Sequence, residues 1–252
     1  MKTIERALDI LEILLDHNGE VFMPDLARLS GLNNNSLYRI TSTLRKRGYL
    51  RQRKKRGKYT LGPKFLEYCH HAKSKVNVED IAYLYQEELC KKTGESVNYT
   101  VFDNSRNMAI DKQIVHTPHP LKVATEEGTE LPLYCSSAGK ILLASMGNQE
   151  LNKYLENNEL KTHTANTITS VPKLKKQLKA IRDRNIAFDD EEFLLGVRAV
   201  ASGVLDKNGN TIATFGIFGP SARITIEKMN ELAPLVRRYA QMLSAGIGYK
   251  SE

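Results

Sequence analysis

Residues 24–61, PDLARLSGLNNNSLYRITSTLRKRGYLRQRKKRGKYTL, decide how this chain begins to fold. Pro24 suits the first turn of a helix, where its missing N–H has no intrahelical partner to lose. Asp25 to Ser30 carry that helix on, and Gly31-Leu32 supply a tight turn. Asn33 or Asn34 can cap the next helix by accepting a first-turn N–H, and the helix runs through Arg47. Leu37, Ile40, Thr41 and Leu44 recur at the spacing of one helical face and form its core side. Helix, short glycine turn and helix make the geometry that sets a second helix into the major groove of DNA.

The outward face of that helix then carries Asn34, Asn35, Ser36, Tyr38, Arg39, Ser42 and Thr43. Asparagine can pair with an adenine edge and arginine with guanine, while hydroxyls suit phosphate. Arg45, Lys46 and Arg47 close the helix, where cations complement the dipole or meet the DNA backbone. Two short strands follow, Tyr49–Arg53 and Lys58–Leu61, around a basic turn containing Gly57. This hairpin reads as a wing whose Arg53, Lys54, Lys55, Arg56 and Lys58 reach phosphates or the minor groove. Upstream, Ile4, Leu8, Leu11 and Leu15 share one face of an amphipathic helix, with Ala7 and Leu14 beside it.

Charge agrees with this placement. The net charge is +8, yet residues 1–75 hold 16 Lys/Arg against 7 Asp/Glu, while the other 177 residues hold 21 against 22. No acidic residue lies between Ala27 and Leu66, and ten basic ones lie between Arg39 and Lys58. A field this one-sided calls for a polyanion. Two other readings are compatible with composition alone: a non-specific nucleic-acid binder, and a small-molecule-binding or metabolic protein with a basic N-terminal arm.

Several motifs resemble the IclR family of bacterial regulators. They are Arg6-Ala7-Leu8-Asp9-Ile10-Leu11, the spacing of Leu26-Ala27, Gly31-Leu32, Ser36 and Arg39, and Arg47-Gly48-Tyr49-Leu50 with Tyr59-Thr60-Leu61-Gly62. Further on, Leu131 to Lys140 (LPLYCSSAGK), Asn166-Thr167-Ile168-Thr169, Asp189 to Phe193 with Gly196-Val197-Arg198, and Gly219 to Arg223 match in order. The resemblance implies a winged helix-turn-helix whose first helix helps to form dimers, and a GAF-like effector domain in a dimeric or tetrameric regulator. The partners it implies are double-stranded promoter DNA, a small organic-acid-like effector and a second copy of the chain. No cofactor is expected.

The remaining sequence reads as an α+β sandwich with a pocket. The expected divisions are a DNA-binding domain over 1–62, a linker helix over 63–76 and an effector and oligomerisation domain over 77–252. Helices are predicted at 78–93, 138–145, 173–185 and from Thr225 to near Gly246. Strands are predicted at 96–102, 108–115, 121–124, 186–188, 197–205 and 212–218, the last two joined across Lys207-Asn208-Gly209-Asn210.

Against the family pattern, Ala199 stands where relatives often have Cys, and Gly216 and Phe218 where they often have Ser. The expectation is an effector larger or more apolar than a two- or three-carbon acid, such as an aromatic or sugar-derived acid. Asp189, Ser137 and the N–H groups opening the helix at Ala138 would hold it. Leu121 and Val123 would wall it in, and Gly216 would open one side.

Catalysis is not expected. Cys135 and Ser136 could meet His163, but no nucleophile-elbow pattern is present. Cys69, Cys90 and Cys135 lack zinc-site or disulfide spacing, so no metal is expected. Asp189-Asp190-Glu191-Glu192 reads either as a solvated acidic loop or as a run in which Asp189 alone faces a pocket. No signal segment or membrane span is apparent, and the cytoplasm is the expected compartment.

Overall fold

A computed structural model describes residues 2–17, 19–54, 57–73 and 77–249. It divides into two compact units, residues 1–76 and 77–252, each taken by itself below.

The first unit runs α1 (Lys2–Asp16), β1 (Glu20–Val21), α2 (Met23–Ser30), α3 (Asn34–Lys46), β2 (Leu50–Gln52), β3 (Tyr59–Leu61) and α4 (Lys64–Lys73). Gly31 ends α2 at φ 65°, a left-handed conformation that costs glycine nothing. Asn33, and not Asn34, caps α3: its side-chain oxygen accepts from the Ser36 amide at 2.9 Å. The strands form an antiparallel sheet in the order β1-β3-β2, with Tyr59 between Val21 and Gln52. The two-residue β1 was not expected, because a segment that short has no periodicity to read.

Ile10, Leu14, Val21, Leu26, Leu37, Ile40, Leu50 and Tyr59 make the core of this unit. Each fully buried aliphatic side chain there is worth about 1.5–3 kcal/mol over exposure. The α1 helix departs from the simple stripe. Ile10 and Leu14 face the core, while Ile4 (69 %), Leu8 (53 %) and Leu15 (63 %) stay exposed. The helix has two apolar faces, and among the described residues of this unit only one is covered.

The second unit runs α5 (Val78–Thr93), β4 (Ser96–Asp103), β5 (Met108–Val115), β6 (Glu130–Pro132), α6 (Ser137–Ser145), α7 (Asn148–Asn157), α8 (Val171–Arg184), β7 (Ala187–Asp190), β8 (Val197–Leu205), β9 (Thr211–Pro220) and α9 (Ile226–Gly246). Its six strands form one antiparallel sheet in the order β6-β5-β4-β9-β8-β7. A capping box of Asn77 and Asp80 starts α5, and Thr225 caps α9.

Alternation along the strands assigns each face its layer. Val97, Tyr99, Val200, Val204, Phe215 and Ile217 pack against α5 and α9. The other face receives α6 and α8, packed on Ala109, Ala187 and Ala201. This second face is unusual in carrying Asn98, Thr100, Asp111 and Thr214 among its buried residues.

One expectation fails here, and one element was not foreseen. Residues 121–124 form no strand; the pairing edge of β5 at Met108–Ile110 is taken by Pro132–Glu130 instead. Pro118 and Pro120, which cannot donate to a ladder, precede that irregular segment. The helix α7 was not expected, since Leu151, Tyr154 and Leu155 are the apolar residues in an otherwise polar decapeptide.

Candidate functional site

The outer face of α3 exposes Asn34, Asn35, Tyr38, Arg39, Thr43, Arg45 and Lys46, with Ser36 and Ser42 half-buried. The Thr43 hydroxyl donates back to the Arg39 carbonyl at 2.9 Å, so its oxygen remains free only as an acceptor. Arg45 leans toward the hairpin, 3.4 Å from Gln52 Oε1, and the Gln52 amide braces the turn by donating to the Gly57 carbonyl at 2.8 Å. Arg53 and Lys54 are exposed beside it, whereas Lys55 and Arg56 lie outside the described residues. Lys58 is exposed but paired with Glu20 at 3.2 Å. Among the described residues, Arg39, Arg45, Lys46, Arg47, Arg51, Arg53 and Lys54 form no ion pair. Seven uncompensated cations on one helix and its neighbouring hairpin make a surface for phosphates.

A cavity of about 270 Å³ opens in the second unit, on the sheet face that carries α6. Val123, Ser137, Ala138, Asp189, Ala199 and Phe218 line it, joined by Asn98, Asp111, Thr125, Thr129, Leu131, Ser136, Phe193, Leu194 and Val197. Leu121 does not: its side chain is 64 % exposed, and its carbonyl accepts from Arg223 Nη1 at 2.7 Å. The same guanidinium grips Glu95 through two bonds of 2.6 and 2.7 Å, and so ties down the segment that continues to Val123–Thr125.

Gly216 does not open the cavity either. A Cβ there would stand 2.6 Å from Asn98 Oδ1, so the space the glycine leaves is filled by Asn98. The Asn98 amide donates to Asp111 Oδ1 at 2.8 Å, and Thr100 Oγ1 donates to the same oxygen at 2.6 Å. Sequence reasoning passed over Asn98 and Asp111. The available signal was polar residues at the inward positions of otherwise apolar strands.

Burial pushes the Asp111 carboxyl up to about 6, against the lowering effect of the Thr100 and Asn98 hydrogen bonds. Asp189 rises to about 7, also chiefly from burial, although Lys140 and the Glu192 and Phe193 amides act to lower it. Asp189 Oδ1 accepts from those amides at 2.8 and 3.4 Å.

The acidic run is therefore not a solvated loop. Asp190 and Glu191 both pair with Arg198, at 2.6 and 3.2 Å, and Glu192 pairs with the buried Lys140. The nucleophile arrangement is absent as well. His163 Nε2 lies 3.0 Å from the Tyr134 hydroxyl, and burial together with Asp189 and Glu192 pushes the Cys135 thiol up to about 12. Among the described residues, no group of three or more His, Cys, Asp or Glu could hold a metal ion, and no helix is long and apolar enough to cross a membrane.

Comparison with known proteins meets both halves of this description. Residues 3–54 match the IclR helix-turn-helix domain, and residues 70–245 match the bacterial transcriptional regulator IclR C-terminal domain. The transcriptional repressor IclR of Escherichia coli is 30 % identical over 98 % of this chain and 90 % of its own length. The HTH-type transcriptional regulator KdgR of the same organism is 28 % identical over 98 % and 94 %. The crystal structure of Thermotoga maritima IclR superposes with a TM-score of 0.64 at 30 % identity, over 99 % of this chain and 100 % of that one. The relatives carry the names of regulators and repressors, in keeping with a reading that assigned this chain no catalysis. With family models spanning both units, the chain belongs to the IclR family of bacterial transcriptional regulators.

Proposed function

We propose that this regulator binds promoter DNA through α3 and the β2–β3 hairpin, and that a small molecule in the α6-side cavity changes its DNA affinity. Residues 1–62 serve as the DNA-binding domain, 63–76 as the linker and 77–252 as the effector and oligomerisation domain. The observation that carries the reading is the set of seven cations on α3 and the β2–β3 hairpin that form no ion pair among the described residues. Asn34, Asn35, Tyr38 and Arg39 read base edges, while Ser36, Thr43, Arg45, Lys46, Arg53, Lys54 and Lys58 hold phosphates. Lys55 and Arg56 join the second group by their place in the sequence.

A second copy covers the exposed Ile4–Leu8–Leu15 face of α1, an apolar strip with no partner inside its own unit. Pairing two copies sets two α3 helices about 34–36 Å apart, one turn of DNA, on a near-palindromic site. Such a protein works where promoters are, in the bacterial cytoplasm. A ligand with different affinity for the DNA-bound and free arrangements then shifts the balance between them.

Footprinting on the region upstream of the chain's own gene tests this reading. A protected, near-symmetric site that Arg39→Ala abolishes supports it; uniform protection of any duplex contradicts it. The sequence-based expectation of an acid effector meets a cavity with two carboxylates and no Lys or Arg among its lining residues.

A further inference from the structure

Helix α8 carries more positive charge than its fold requires. Six of its fourteen residues are basic (Lys173, Lys175, Lys176, Lys179, Arg182 and Arg184), and Asp183 is its one acid. All seven are exposed, and none forms an ion pair among the described residues. Some of these cations have a structural account. Arg182 holds the end of α6 by donating to the Ala144 and Met146 carbonyls at 2.8 and 3.2 Å. Both arginines lie in the last turn, where a cation complements the helix dipole. Lys175 donates to Asn152 Oδ1 at 2.7 Å. The side chains of Lys173, Lys176 and Lys179 reach no hydrogen-bond partner among the described residues, and they follow one another at every third position along the helix. They act against the helix that carries them. Lys173 stands in the first turn, where the dipole disfavours a cation, and no acidic residue offsets it there. Lys173–Lys176, Lys176–Lys179, Lys175–Lys179 and Lys179–Arg182 are like-charge neighbours three or four residues apart.

What the face lacks decides the kind of partner it fits. No large apolar or aromatic side chain is exposed on α8. Protein interfaces are built around such anchors and are depleted of lysine. A nucleic-acid backbone needs none of them, because phosphates are held by cations whatever the base sequence. Duplex DNA is also the polyanion that a helix-turn-helix regulator meets. We propose that the Lys173–Lys176–Lys179 row of α8, with Lys175 beside it, is a second and sequence-independent DNA contact. It holds the phosphate backbone of duplex flanking the stretch read by α3, and so rests on the reading of α3 as the recognition helix. Contact through α8 lengthens the DNA held by each copy and adds affinity without adding base readout. The second unit then takes part in DNA binding directly.

Fluorescence anisotropy of the full-length protein over a salt series tests this contact. One duplex of about 25 base pairs just covers the α3 site, and a second carries the same site at the centre of a duplex more than twice as long. Each phosphate contact steepens the fall of log affinity with log salt by about 0.9. The parent is expected to show the steeper slope on the long duplex. Lys173→Gln combined with Lys176→Gln and Lys179→Gln is expected to reduce the long-duplex slope by about two or more and to leave the short-duplex slope as in the parent. Glutamine suits a helix as well as lysine does, so the melting temperature is expected to stay at or above that of the parent. The milder pair Lys176→Gln with Lys179→Gln is expected to give a smaller change of the same sign. Equal long-duplex slopes for parent and triple variant overturn the proposal and leave the face to an acidic protein or to solvent. An equal drop on both duplexes overturns it as well, because the contact then lies within the α3 site. If Arg39→Ala leaves the preference for the site over a scrambled duplex unchanged while the triple variant flattens the long-duplex slope, the α3 reading fails and the α8 contact stands.

Discussion

Lys140 of α6 and Glu192 of the loop after β7 meet as a buried ion pair, with the lysine wholly sequestered from solvent. The pair stands beside the α6-side cavity: the Glu192 amide donates to Asp189 Oδ1, and the hydroxyls of Thr164 and Thr167 donate to the Glu192 carbonyl. The lysine reaches Glu192 Oε1, and Oε2 has no hydrogen-bond partner among the described residues, so the charge depends on the lysine. Lys140→Met removes the cation and strands a buried carboxylate, at a cost of about 3–5 kcal/mol in unfolding free energy. Replacing both residues, as in Lys140→Met with Glu192→Leu, recovers much of that loss. Urea denaturation of the parent and the two variants measures it; a single mutant as stable as the parent contradicts the dependence.

Under the proposed docking, Arg39 and Lys54 make two different kinds of contact with DNA. Arg39→Ala is expected to weaken the specific complex by roughly 1–3 kcal/mol and to relax discrimination at one base pair. Lys54→Ala is expected to weaken all duplexes alike and to reduce the slope of log affinity against log salt by about one. Salt titrations on specific and scrambled duplexes distinguish the two effects.

Leu8 lies at the middle of the exposed face of α1, between Ile4 and Leu15. Leu8→Glu places a charge in the proposed contact between copies and leaves the core residues Ile10 and Leu14 untouched. Sedimentation is expected to show a lower association state, with promoter affinity falling in parallel. A variant that associates like the parent assigns self-association to another surface.

Asp111 and Asp189 give the protein an inverted acid response. A carboxyl whose folded-state value exceeds its unfolded one binds its proton more readily when folded, so its contribution to stability falls as pH rises. The window runs from near 4, the unfolded value, to about 6 for Asp111 and about 7 for Asp189. At about 1.4 kcal/mol for each pH unit, the Asp111 contribution is about 3 kcal/mol. Between pH 7.5 and 5.5 the melting temperature is expected to rise, and Asp111→Asn is expected to shrink that rise. Equal pH dependence in variant and parent contradicts the assignment.

How far the sequence reaches depends on how local the determining physics is. The α2–turn–α3 unit was legible because Pro24, Gly31 and Asn33 each act within one turn of their own position. The β8–β9 hairpin and the capped α5 and α9 helices follow the same logic. What escaped was decided at a distance. Both faces of α1 are apolar, and only the packed core selects Ile10 and Leu14 over Ile4 and Leu8. Gly216 reads as empty space until Asn98, from a strand more than a hundred residues earlier, occupies it. Leu121 reads as a wall until Arg223 and Glu95 fix its backbone and leave its side chain outside. Asp111 was invisible as a cavity residue because its neighbours come from other strands and from the start of α6.

Competition binding is the decisive test of sequence-specific DNA recognition by this protein. Fluorescence anisotropy of the full-length protein on the duplex upstream of its own gene, at physiological salt, is compared with a scrambled duplex of equal composition. A preference of roughly a thousandfold or more is expected, lost in large part on Arg39→Ala. Equal affinity for the two duplexes contradicts it.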